Sequence, residues 1–239
     1  MPIRPSFAAN LRLCSCCHHA LWPSRRQALT TIAGGVAALC GARSAVAQTV
    51  LSPDAALARL MEGNNGFAQG RLASFDEDLA ILKEHTVAKQ EPFAAVLSCA
   101  DSRVPVELIF DQSIGHVFVT RVAGNVCTPE VIASLEYGAV VLGVPIIMVL
   151  GHDGCGAVKA TIDGKPVPGQ ISALYAPLRP GIERAGADLT AAIKANAQVQ
   201  ADLLRTASPV IAPLVKTGKM KVVAAYYDLA SGKVAILGP

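Results

Sequence analysis

Three short apolar runs, at 93–98, 116–122 and 145–150, constrain this chain more than any other feature. Each has the length of a strand and is apolar at successive rather than alternate positions, the pattern of a strand buried on both faces. Helical signals separate the second and third runs: Pro129 stands at a first helical position, Glu130 in the first turn and Gly143 beyond the last. Strand and helix alternating in this way predict an α/β fold with a mainly parallel central sheet and flanking crossover helices. The segments 222–228 and 234–237, joined around Ser231 and Gly232, read as a later hairpin. Ahead of the sheet, Leu57, Leu60, Met61 and Phe67 recur near helical spacing, and 76–87 continues in the same style, so N-terminal helical arms are expected.

In sheets of this kind ligands bind beyond the carboxyl ends of the strands. Cys99 follows the first run directly, and His152 and Cys155 follow the third. Cys99 and His152 are 53 positions apart, so only a fold can join them. Two thiolates and an imidazole suit zinc, and three protein ligands leave a fourth tetrahedral position open. A lone buried cysteine is ordinarily a small core residue; what favours ligation is that both loops fall at strand ends, with Gly151, Gly154 and Gly156 allowing close backbone approach. Asp101, two residues past Cys99, can either bind the metal as a fourth ligand or pair with Arg103, whose planar fork matches a carboxylate. An ordinary loop ion pair is the competing reading.

The first 47 residues contain five of the 21 Lys/Arg and none of the 18 Asp/Glu. Arg25 and Arg26 precede an apolar run at 28–42, and Ala45, Val46 and Ala47 form a small-residue cleavage site. This is the pattern of a twin-arginine export signal cleaved after Ala47. The run is too short to cross a bilayer as a stable helix; an uncleaved N-terminal anchor is the alternative. The expected division is therefore a signal peptide over 1–47 and one catalytic domain over 48–239, periplasmic or otherwise exported and without a stable membrane anchor. The domain keeps 16 basic against 18 acidic residues, which predicts no nucleic-acid binding. Four of the seven cysteines lie in the signal; the remaining three, Cys99, Cys127 and Cys155, are an odd number, which favours metal ligation over a disulfide framework.

Cys-Ala-Asp-Ser-Arg at 99–103, Arg-Val-Ala-Gly-Asn at 121–125 and Gly-His-Asp-Gly-Cys-Gly-Ala-Val at 151–158 together resemble the beta-class carbonic anhydrases, in order and in spacing. The resemblance implies one zinc per chain on Cys99, His152 and Cys155, and a dyad in which Asp101 orients the reactive water when paired with Arg103 and occupies zinc when the site is closed. It implies that Gln90 contacts substrate or bicarbonate across a dimer interface and that Phe118 and Tyr137 line the cleft. The implied reaction is reversible hydration of carbon dioxide to bicarbonate and a proton by a zinc-activated hydroxide, in a homodimer or a multiple of dimers. His85, His116 and Asp153 are alternative proton relays. Carbonyl sulfide or carbon disulfide hydrolysis on the same fold is one competing function, and a non-catalytic zinc-binding protein is another.

Overall fold

The computed structural model describes residues 51–74, 84 and 86–238. The expected export signal over 1–47 lies outside these residues, as do His85 and most of the second expected arm helix at 76–87. Among the described residues the helices are α1 (Pro53–Ala68), α2 (Val106–Ile109), α3 (Pro129–Val140), α4 (Gly156–Asp163), α5 (Tyr175–Ala185), α6 (Leu189–Ala207) and α7 (Ile211–Lys216). The strands are β1 (Ala94–Ser98), β2 (Val117–Arg121), β3 (Ile146–His152), β4 (Lys221–Tyr227) and β5 (Val234–Leu237), in one sheet of order β2-β1-β3-β4-β5. The first four strands are parallel and β5 closes the sheet antiparallel to β4. The α/β architecture read from the apolar runs is the observed one.

Burial on both faces explains the first and third runs; the second, β2, lies at the sheet edge and is only half-buried, because no further strand among the described residues flanks it in one chain. Ala95, Leu97, Ile147 and Val149 enter one core with Val131 and Leu135 of α3 and Ala197, Ala201 and Leu204 of α6. Their neighbours Ala94, Val96, Ile146, Met148 and Leu150 enter the opposite core with Ala56 and Leu60 of α1 and Val106 and Ile109 of α2. Each large aliphatic side chain so buried contributes about 1.5–3 kcal/mol.

Local signals start the helices where the sequence placed them. Ser52 Oγ accepts the Ala55 N–H at 3.2 Å ahead of α1, and Thr128 caps α3, each followed by proline at the first helical position. Asn64 of α1 is buried and pins the closing hairpin: its Nδ2 donates to the carbonyls of Ile109 and Gly232, and its Oδ1 accepts the Val234 N–H. Among the described residues no helix is long and apolar enough to cross a membrane.

Strand β3 runs two residues past its apolar stretch, because Gly151 and His152 continue the ladder opposite Tyr226 and Tyr227 of β4. Helix α6 crowds this glycine: a Cβ on Gly151 would stand 3.1 Å from Ile193 Cγ2 and 3.3 Å from the Ile193 carbonyl oxygen, so Ile193 would have to give way. This close approach carries the sheet's carboxyl edge, and with it His152, into the protein interior.

Candidate metal centre

Register brings the expected ligands together. Ser98, the last residue of β1, pairs with Leu150 of β3, so Cys99 leaves the sheet beside Gly151 and His152. The Cys155 that precedes α4 completes the group: the ligand atoms of Cys99, His152 and Cys155 all lie within 4.8 Å of one another, and all three residues are buried. Their sulfurs are 4.0 Å apart and not bonded in a disulfide. Two sulfurs at 2.3 Å from one tetrahedral centre are separated by about 3.8 Å, so this spacing fits a shared ion.

The imidazole is prepared for the same role. Nδ1 of His152 lies 2.8 Å from the Asp153 carbonyl, which can only accept, so Nδ1 carries the proton and Nε2 presents a lone pair. The ring is fully buried, and Nε2 has no hydrogen-bond partner among the described residues. A buried nitrogen without a partner is costly unless something occupies it, and a soft cation is the occupant that two thiols beside it would bind.

Charge is distributed accordingly. The contact with the Cys155 sulfur holds Cys99 well below the ordinary thiol range against the opposing effect of burial, with help from the Gly124 N–H. The same contact, and burial, push Cys155 upward. Burial alone would lower His152, but the Cys99 thiolate overrides it and raises the imidazole. Negative charge is thus favoured on the Cys99 sulfur.

Asp101 and Arg103 stand at its mouth. The Arg103 N–H and Nε both donate to Asp101 Oδ1 at 2.9 Å, and Nη2 donates to Oδ2 at 2.8 Å. These bonds hold the Asp101 carboxyl well below its usual range and raise the guanidinium. Nη2 also reaches the Gly154 carbonyl at 3.3 Å, tying the dyad to the loop between His152 and Cys155.

Two contributors carried no role in the sequence reading beyond membership of a motif. Arg121, at the end of β2, donates from Nε to the Cys99 carbonyl at 2.9 Å and from Nη2 to the Asp101 carbonyl, bracing both residues of the first loop. Gly124, at φ +77°, donates its N–H to Cys99 Sγ at 3.3 Å. A basic residue and a glycine just past a strand are too common to single out alone.

The three expected substrate-site residues lie apart from this group. Phe118 and Tyr137 pack on each other with centroids 6.2 Å apart, and Gln90 is exposed in the irregular segment before β1. Among the described residues, no hydrogen bond or ring contact joins any of the three to the two thiols and the imidazole within one chain.

The chain is similar to known proteins over most of its length. The carbonic anhydrase family model matches residues 94–234. A carbonic anhydrase of Mycolicibacterium smegmatis is 36% identical over 193 residues, covering 77% of this chain and 93% of that protein. The beta-carbonic anhydrase of Coccomyxa, solved in complex with acetazolamide, superposes with a TM-score of 0.59 at 27% identity, over 76% of this chain and 86% of the other. One of two tetrameric beta-carbonic anhydrases of Sordaria macrospora shares the fold, with a TM-score of 0.63 at 21% identity over 77% and 97% of the two chains. The chain belongs to the beta-class carbonic anhydrase family.

Proposed function

We propose that this carbonic anhydrase binds one zinc ion per chain on Cys99, His152 and Cys155 and hydrates carbon dioxide there under control of the Asp101–Arg103 pair. The observation that carries the reading is the buried Nε2 of His152, without a partner among the described residues and beside two thiols 4.0 Å apart. When bound, zinc supplies Lewis acidity that makes water a nucleophile near neutral pH.

The chain's own groups do the rest. Arg103 keeps Asp101 ionised and turned outward, so that Oδ2 accepts a hydrogen bond from the attacking water and orients it. Arg121 fixes the carbonyls on either side of Ala100 and so fixes the direction of that carboxylate. The core packed behind Cys99 and Cys155, including Val126, Val158 and Leu178, excludes water from the far side of the ligands. Two thiolates would offset the charge of the ion more than imidazoles do, so its water would be a weaker acid than at a three-histidine centre and turnover should rise toward alkaline pH.

Gln90, Phe118 and Tyr137 act in a cleft completed by a second copy of the chain. The exposure of Gln90 and the 45% exposure of Tyr137 in a single chain support a dimer, or a multiple of dimers, as the working form. Export with cleavage after Ala47 delivers the domain to the periplasm, and intact mass of the exported protein tests this: a chain beginning at Gln48 supports it and an uncut chain overturns it.

Stopped-flow hydration of carbon dioxide from about pH 6.5 to 9, bracketing the range of metal-activated water, tests the function, with zinc content measured on the same sample. One zinc per chain and activity rising toward alkaline pH are expected. Full zinc with no hydration, but with turnover of carbonyl sulfide, would reassign the substrate.

A further inference from the structure

We infer that Asn196 is a positioning residue for the metal centre, holding Gly124 so that the Gly124 N–H stays directed at Cys99. The inference rests on the metal-centre reading above and extends it to a helix that contributes no ligand.

The chain of contacts is continuous. Gly124 N–H donates to Cys99 Sγ at 3.3 Å, and the Gly124 carbonyl accepts from Asn196 Nδ2 at 2.9 Å. Asn196 lies on α6 and is fully buried. Its amide is locked in one sense: Oδ1 accepts from Gln200 Nε2 at 3.1 Å, one helical turn along. Gln200 is itself held, because Nε2 donates also to the Pro177 carbonyl at 3.0 Å and its side-chain oxygen accepts the Cys127 N–H at 2.9 Å. Turning the Asn196 amide over would set oxygen against oxygen at Gly124 and donor against donor at Gln200.

Apart from its bonds to the buried Gly124 carbonyl and to Gln200, the fold makes no use of an amide at this position among the described residues. Ala192, Ile193, Ala197 and Ala201 on the same helix are buried and apolar, and a buried amide adds stability only when its bonds are made. The part of the structure that gains direction from it is Gly124, which lacks a Cβ and adopts φ +77°, so that little within the residue itself limits rotation of its N–H. Donors that reach a ligating sulfur fix its orientation and electron density, and loss of such partners typically weakens metal binding by about 10–100-fold.

Cobalt(II) is the probe, because a thiolate-to-cobalt charge-transfer band reads the sulfur ligands directly. Wild type, Asn196→Ala and Cys127→Ala are compared for that band, for cobalt affinity by chelator competition and for thermal stability without metal. Asn196→Ala is expected to shift the band and to bind cobalt about tenfold or more weakly. Cys127→Ala, which alters the same buried layer without touching Gly124, is expected to lose stability and leave the band in place. A wild-type band that Asn196→Ala leaves unchanged, with unchanged affinity, overturns the role of Asn196 while the metal centre stands. No thiolate band in the wild type overturns the metal centre and this inference with it. If Asn196→Ala does not fold, Gln200→Ala, which frees the Asn196 amide to turn, is read instead: weaker cobalt binding with a shifted band supports the inference, and a wild-type band and affinity overturn it.

Discussion

Oδ2 of Asp101 stands 3.9 Å from Nε2 of His152. The carboxylate is a near neighbour of the candidate ligand atoms and is turned to a guanidinium beside them. What turns it is the guanidinium of Arg103, through bonds of 2.9 and 2.8 Å to the two carboxylate oxygens. The carboxylate is thereby held at the mouth of the group, the arrangement the proposed scheme calls open.

Removing the clamp is expected to close the site. In Arg103→Ala the Asp101 carboxylate loses both side-chain bonds and swings toward the metal, and turnover falls by at least about a hundredfold, the loss that misplacement of a reacting group can cause. Zinc content stays near one per chain. Carbon dioxide hydration and metal analysis on one sample check this, and unchanged activity would sink the open-and-closed scheme.

The same pair sets a pH dependence of stability. Arg103 holds the folded-state pKa of Asp101 below its unfolded value of about 3.9. The contribution is therefore fully present above about pH 4 and is lost only as the pH falls through the lower folded value. The difference in unfolding midpoint between wild type and Asp101→Asn should be constant from neutral pH down to about 5 and shrink below about 4. A difference that already fades between pH 7 and 5 would show that Arg103 does not depress the group.

Gly124 should tolerate no side chain. At φ +77° an added Cβ is strained by about 1–2 kcal/mol, and it would meet the Leu178 methyl carbons at 3.1 and 3.2 Å. Gly124→Ala is expected to lower the unfolding midpoint by roughly 2–8 °C for a domain of this size and to weaken metal binding. Gly156→Ala is the comparison, since nothing lies within 4 Å of its added Cβ, and it should unfold like the wild type.

Arg121 braces the first ligand loop by a fork that lysine cannot reproduce. Arg121→Lys leaves the charge but cannot reach the Cys99 and Asp101 carbonyls together. A drop in kcat of about tenfold is expected for such a loss of orientation, with zinc retained. Stopped-flow kinetics on Arg121→Lys and Arg121→Ala check it, and full activity in the lysine variant would show that charge alone suffices.

Strands buried on both faces must be apolar at every position, which is why β1 and β3 could be read directly from residues such as Val96, Leu97, Ile147 and Met148. The cluster that could hold a metal was legible for a related reason: Cys99 and His152 sit where a strand ends, and Asp101 and Arg103 pair across two residues, a distance the local chain already spans. The segment between β3 and β4 was not legible. Helix α6 buries Ile193 and Leu204 among Ala192, Asn196, Ala197, Gln200 and Ala201, so small and polar residues interrupt what would otherwise read as an apolar stripe. Likewise the support of the centre depends on contacts between residues distant along the chain, Arg121 with Cys99 across 22 positions and Asn196 with Gly124 across 72. A backbone carbonyl looks the same at every position in a sequence, so which carbonyl an arginine or a buried amide will hold is decided only when the sheet and α6 pack together.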